Sequence, residues 1–178
     1  MTETDCDRHY EVFKHFLGIA RAQVQERHNS SALGQKRDYA LRPGARPLRG
    51  VIVLLVLIAT KCRDSTIRWD AISILRTLEF QEGVFRSYAL GLYAQRVVEI
   101  EEQRARQIMG TTYKDTLTCE DVPEEARFFN VTLEVNDYDY DVGTLICAVM
   151  AQDIDTDASI KIEEHEIVFS EVAERIWS

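Results

Sequence analysis

The residues best suited to chemistry are acidic and lie late in the chain. Asp153, Asp155 and Asp157 fall at positions 1, 3 and 5 of a calcium-binding loop of the EF-hand kind, with Ile160 at 8 and Glu164 at 12. Ser159 completes the set of candidate ligands. Such spacing lets carboxylates converge on one hard cation, closed by a terminal bidentate glutamate. Two features count against it. Position 6, where the sharp turn calls for glycine, is Ala158. The residues leading in, 142–152, read as a strand where an EF-hand needs a helix. An acidic hairpin turn accounts for the same run, because aspartate favours turns on its own. Calcium binding through Asp153, Asp155, Asp157, Ser159 and Glu164 is therefore the secondary reading.

Other constellations are weaker. Cys6 and His9 sit three apart with His15 further on, but no fourth ligand completes a zinc site. The four cysteines, Cys6, Cys62, Cys119 and Cys147, are widely spread without a CxxC pair, and are expected to be reduced thiols. No GxSxG, HExxH, GxGxxG or phosphate-cradling glycine loop occurs. The histidines are scattered. Glu101-Glu102 and Glu163-Glu164 are adjacent in sequence, so each pair points apart, which suits solvated faces better than acid–base work. The chain is expected not to be an enzyme and to need no cofactor.

The elements that must position these residues divide into helices first and strands second. Asp5 or Asp7 can cap a helix running to about Asn29. Its buried stripe is Phe13, Phe16/Leu17, Ala20 and Val24. Residues 29–49 read as a basic linker, because Ser30, Ser31, Gly34, Pro43, Gly44 and Pro47 break helices. Residues 50–60 are apolar all round and predict a central buried helix. Asp64 or Ser65 then caps a helix with Ile67, Ala71, Ile74/Leu75 and Leu78 inward, and Arg68 and Arg76 facing elsewhere. A turn at residues 79–83 leads to a helix from about Val84, with Phe85, Ala89, Leu92/Tyr93, Val97 and Ile100 on one face and Gly110 as its stop. Three helices with short joints pack as an antiparallel array. Beyond residue 111 come a loop with one helical turn after Pro123, a strand alternating at Phe129, Val131, Leu133 and Val135, and two more strands.

The expected fold class is thus α+β, an antiparallel α-helical array over the N-terminal two-thirds followed by a small antiparallel β-region. Residues 1–110 form the helical body, with the linker at about 30–49. Residues 111–178 form an acidic loop and a hairpin or meander packed on it. At 178 residues the chain is long enough for a real core. Its longest apolar run, residues 51–59, is about half a bilayer span, and the acidic N-terminus is unlike a signal peptide, so an intracellular protein without membrane contact is expected. The net charge of −9 is uneven. Residues 1–110 carry 17 lysines and arginines against 13 acids, and residues 111–178 carry 4 against 17. The acidic last third repels phosphate backbones, so direct nucleic-acid binding is not expected there.

One stretch carries a resemblance. Ala59-Thr-Lys61-Cys62-Arg63-Asp64, then Ile67-Arg68, Ala71-Ile72 and Leu75-Arg76, then Glu82-Gly83, then Glu99-Ile-Glu101-Glu102 resembles the C-terminal region of fungal binuclear zinc-cluster (six-cysteine) transcription factors. The order of elements agrees over most of residues 5–170, and the specific part is residues 61–102. The chain departs from the family in having no six-cysteine DNA-binding cluster, so zinc and DNA binding are carried onto no residue. The resemblance implies a regulatory body that contacts protein partners, in the nucleus. The other reading of the departure is a truncated gene product with no retained role. Mechanically, Arg63 and Asp64 at a helix corner, with Arg68 one turn on, can pair with Glu101 or Glu102 where the third helix packs back. Such a pair would fix helix register more than it would add stability.

Overall fold

The computed structural model describes residues 8–32, 50–78, 81–82, 85–110, 116–135, 142–151 and 159–169. Helices come first: α1 (Tyr10–Ala32), α2 (Val51–Lys61), α3 (Ser65–Thr77) and α4 (Ser87–Met109). Between α3 and α4 lie two short strands, β1 (Gln81–Glu82) and β2 (Phe85–Arg86). A three-stranded antiparallel meander follows, β3 (Phe128–Val135), β4 (Val142–Ala151) and β5 (Ser159–Val168), in the order β3-β4-β5. The fold is α+β, as its sequence predicts.

The helical layer is built on α2. Ile52, Leu55, Ile58 and Ala59 are fully buried against Phe13, Leu17 and Ala20 of α1 and Ile67, Ala71, Ile72 and Leu75 of α3. Val53 and Leu57 remain about half exposed, so the run that is apolar all round is buried on one side only. At the next corner Asp64 accepts the Ile67 N–H at 3.1 Å and caps α3. Its carboxylate satisfies a donor that the helix cannot satisfy itself. Asp64→Ala should cost about 1 kcal/mol, read as a shift in the urea midpoint with an unchanged slope.

Helix α4 links the two layers. Gly91 brings it close to α3, because a Cβ at that position would lie 2.9 Å from Arg76 Cγ and 3.2 Å from Leu75 Cβ. Gly110 ends it at φ 65°, a conformation that costs a residue with a Cβ more than glycine. Val97 and Ile100 face the sheet and pack with Phe128, Leu145, Cys147, Val149, Ile167 and Phe169.

Two boundaries and one register differ from the sequence reading. Helix α1 runs through Ser30 and Ser31 to Ala32, since serine penalises a helix end only weakly. Helix α4 starts at Ser87 instead of Val84, because Gln81 and Glu82 pair with Arg86 and Phe85 in a tight ladder. In β3 the alternation breaks at a bulge, where Phe128 pairs with Val149 but Asn130 with Ala148. The extra residue lets Phe128 and Val131 face the same side, and Phe128 becomes the buried aromatic. The capping residues Asp5 and Asp7, the turn at 136–141 and the tail beyond residue 169 lie outside the described residues.

A candidate functional site: a buried arginine–glutamate clamp

The α2–α3 corner and the middle of α4 place three charged side chains in the interior. Arg63, Arg68 and Glu101 are each fully buried. Arg63 reaches back over its own corner, donating from Nη1 to Thr60 O at 2.7 Å and from Nη2 to Glu101 Oε1 at 3.0 Å. Arg68 donates from Nε to Ala59 O at 2.8 Å and from Nη2 to Glu101 Oε2. The Phe128 backbone N–H, beside the β3 bulge, donates to Glu101 Oε1 at 2.8 Å. One carboxylate thereby ties the end of α2, the start of α3, α4 and the first strand of the sheet.

Further bonds flank it. Ser65 Oγ donates to Glu102 Oε1 at 2.8 Å, and Arg106 holds the other Glu102 oxygen at 3.3 Å. Lys61 Nζ donates to Phe129 O at 3.2 Å. The pairing expected between the corner arginines and α4 is present in one form: both arginines reach Glu101, and Ser65 and Arg106 hold Glu102. Two sequence expectations are corrected. Arg68 does not face away from the core, and Glu101 and Glu102 are not a solvated face. The stripe pattern failed at Arg68 because burial was judged by side-chain type, and a paired guanidinium can be buried where a lone one cannot. Arg76 stays out of the clamp, half-buried over the Tyr88 ring at 5.6 Å and bonded to Gln95.

The electrostatics follow from the geometry. Burial pushes the Glu101 carboxyl up, but Arg63, Arg68 and the Phe128 N–H overcome it and hold it below the usual carboxylate range. Burial draws the Arg68 pKa down against the pull of Glu101, yet a guanidinium starts so high that it keeps its proton. Arg68 Nη1 is buried with no acceptor among the described residues, which subtracts from what the cluster contributes to stability. With two guanidiniums and a backbone N–H all bonded to one carboxylate, the arrangement suits positioning.

The remaining residues singled out in the sequence are dispersed. Asp64 caps α3, Cys62 ends α2, and Glu82 lies in β1, while Gly83 is outside the described residues. His9 and His15 are exposed, and Cys6 lies outside the described residues. Asp153, Asp155 and Asp157 also lie outside them. Ser159 and Glu164 stand five positions apart on extended β5, about 17 Å at the strand rise, instead of curling around one point. Among the described residues no group of three or more His, Cys, Asp or Glu could hold a metal ion.

Sequence reasoning missed a second, more exposed clamp. Arg104 pairs with Glu163, donates to Glu125 O at 3.0 Å and lies over the Phe128 ring at 5.5 Å. Glu163 is turned inward while Glu164 is exposed, so this pair does point apart as adjacent strand residues must. Residues 59 positions apart leave no local signal of such a contact.

No family model, curated protein or solved structure matches the chain. Among the described residues no helix is long and apolar enough to cross a membrane.

Proposed function

We propose that the chain is a regulatory and interaction domain of the fungal zinc-cluster transcription-factor type. It acts in the nucleus through protein partners, without its own DNA-binding module and without catalysis. The observation that carries this reading is the clamp. Arg63, Arg68 and Glu101, three separated members of the pattern resembling that family, meet at one buried point. A pattern that exists to build a scaffold puts its charged residues inside, holding elements together, and leaves partner contacts to the surface. Helix α1 offers such a surface: Val12, Phe16 and Ile19 form an exposed apolar stripe at helical spacing.

The test is a tethered reporter. The full chain is fused between a heterologous DNA-binding domain and an activation domain, and output is compared with a fusion carrying an inert globular spacer of equal length. The expected result is a several-fold change in output that Phe16→Glu on the α1 stripe abolishes while the purified variant still folds. Output equal to the spacer's would overturn the regulatory reading.

A further inference from the structure

The motif corner holds a second pair of groups that the clamp does not use. Cys62 ends α2 with extended backbone and is buried, its N–H still bonded to Ile58 O at 3.0 Å. The loop that carries Cys119 is tied to this corner by one backbone bond and held in shape by its own bonds. The Ser65 N–H donates to Leu117 O at 2.8 Å. Arg127 donates from Nη2 to Cys119 O at 2.9 Å and to Val122 O at 2.6 Å. Within the loop the Asp121 carboxylate accepts from the Thr118 N–H at 2.8 Å and its hydroxyl at 2.7 Å. Held this way, the Cys119 side chain lies close enough to Cys62 for the two thiols to interact, and neither is in a disulfide. Cys119 is half-buried, whereas Cys62 is sealed.

We propose that Cys62 and Cys119 form an oxidation site at which hydrogen peroxide closes a disulfide between the end of α2 and the loop leading to β3. The chemistry proceeds in two balanced steps. The accessible Cys119 sulfur takes an oxygen from peroxide: its thiol becomes a sulfenic acid, peroxide is reduced, and one water is released. The Cys62 sulfur then attacks the Cys119 sulfur, the S–O bond breaks as the S–S bond forms, and the Cys62 proton leaves with the hydroxide as a second water. A dithiol reductant returns both thiols. Hydrogen bonding with Cys119, and then burial, push the Cys62 thiol up, which keeps it protonated at rest and leaves first oxidation to its partner. The closed bridge would start at the corner that carries Arg63 and end in the loop that leads to β3, so oxidation would lock the helical layer to the segment that feeds the sheet.

The experiment uses the purified full chain, exposed to hydrogen peroxide and digested without reductant for mass spectrometry. Expected are a chain lighter by two hydrogens, a linked peptide containing Cys62 and Cys119, and reversal by dithiothreitol. The melting temperature should rise by roughly 5 °C or more in the oxidised form. Cys119→Ser should lose both the link and the rise, and Cys147→Ser should keep both. Cys62→Ala should leave Cys119 as a sulfenic acid that dimedone captures. Cys119 passing to sulfinic acid with Cys62 still free, or a link through Cys6 or Cys147, would overturn the proposal.

Discussion

Glu101→Gln should destabilise the fold by about 3–5 kcal/mol, because it removes the carboxylate shared by Arg63 and Arg68 and leaves their guanidinium charges in the interior without it. The amide has nearly the same shape, so lost packing contributes little and the effect isolates charge. Replacing the whole cluster is a different matter. Arg63→Met, Arg68→Met and Glu101→Leu together should cost less than Glu101→Gln alone, since desolvating three charges costs about as much as their pairing returns and what remains is the backbone groups of Ala59, Thr60 and Phe128 left without their side-chain partners. Urea unfolding at neutral pH checks both expectations. A single variant no worse than the triple one would mean that the buried charges are not balanced against each other.

The same carboxylate gives an acid limb. Its folded pKa lies below its unfolded value, with burial opposing and the two arginines winning. Stability from such a group is fully present above the unfolded pKa of about 4.3. It is lost as pH falls through the lower, folded value. The wild type should therefore lose stability steeply below about pH 4, and Glu101→Gln should lack that part of the slope.

What could be read from the sequence follows from what each residue needs. Helix α3 was legible to its ends because its signals are local: Asp64 caps it, and Ile67, Ala71, Ile74, Leu75 and Leu78 make one stripe. The strands were legible because alternation at Val131 and Leu133 needs no partner to be seen. The start of α4 was not, since Gln81 and Glu82 pair with Arg86 and Phe85 in a ladder whose stability comes from pairing and not from propensity. The β3 bulge was hidden for a related reason. An extra residue at Phe129 looks like ordinary alternation until the Ala148 register is known. Yet that irregularity sits beside the N–H that Glu101 accepts. The clamp was half visible. Charge and helix order suggested that the corner arginines would meet α4, but only packing decides between two adjacent glutamates. A helix rotates by about 100° per residue, and that rotation sends Glu101 to the arginines and Glu102 to Ser65 and Arg106.

Arg68→Ala is expected to lower the melting temperature by about 10 °C, several times the effect of Arg86→Ala. The argument adds three losses. Arg68 is fully buried, so truncation opens a cavity where a long side chain stood. The Ala59 carbonyl loses the Nε donor at 2.8 Å and, being interior, has no water to replace it. Glu101 keeps Arg63 and the Phe128 N–H but loses one of its two balancing charges. About 3–5 kcal/mol is the ordinary cost of breaking a buried pair, and a chain of this size shifts by about 2–4 °C for each kcal/mol. Arg86 is half-buried at the start of α4 and is not part of the clamp, so its truncation should stay below about 1 kcal/mol. Lysine should not rescue position 68. Its single ammonium cannot serve Ala59 O and Glu101 Oε2 with the planar fork that arginine supplies. Thermal unfolding of the three variants decides the matter. Equal losses for Arg68→Ala and Arg86→Ala, or full recovery in Arg68→Lys, would show that position 68 contributes bulk or charge alone and that the clamp on Glu101 does not set the seating of α3 on α4.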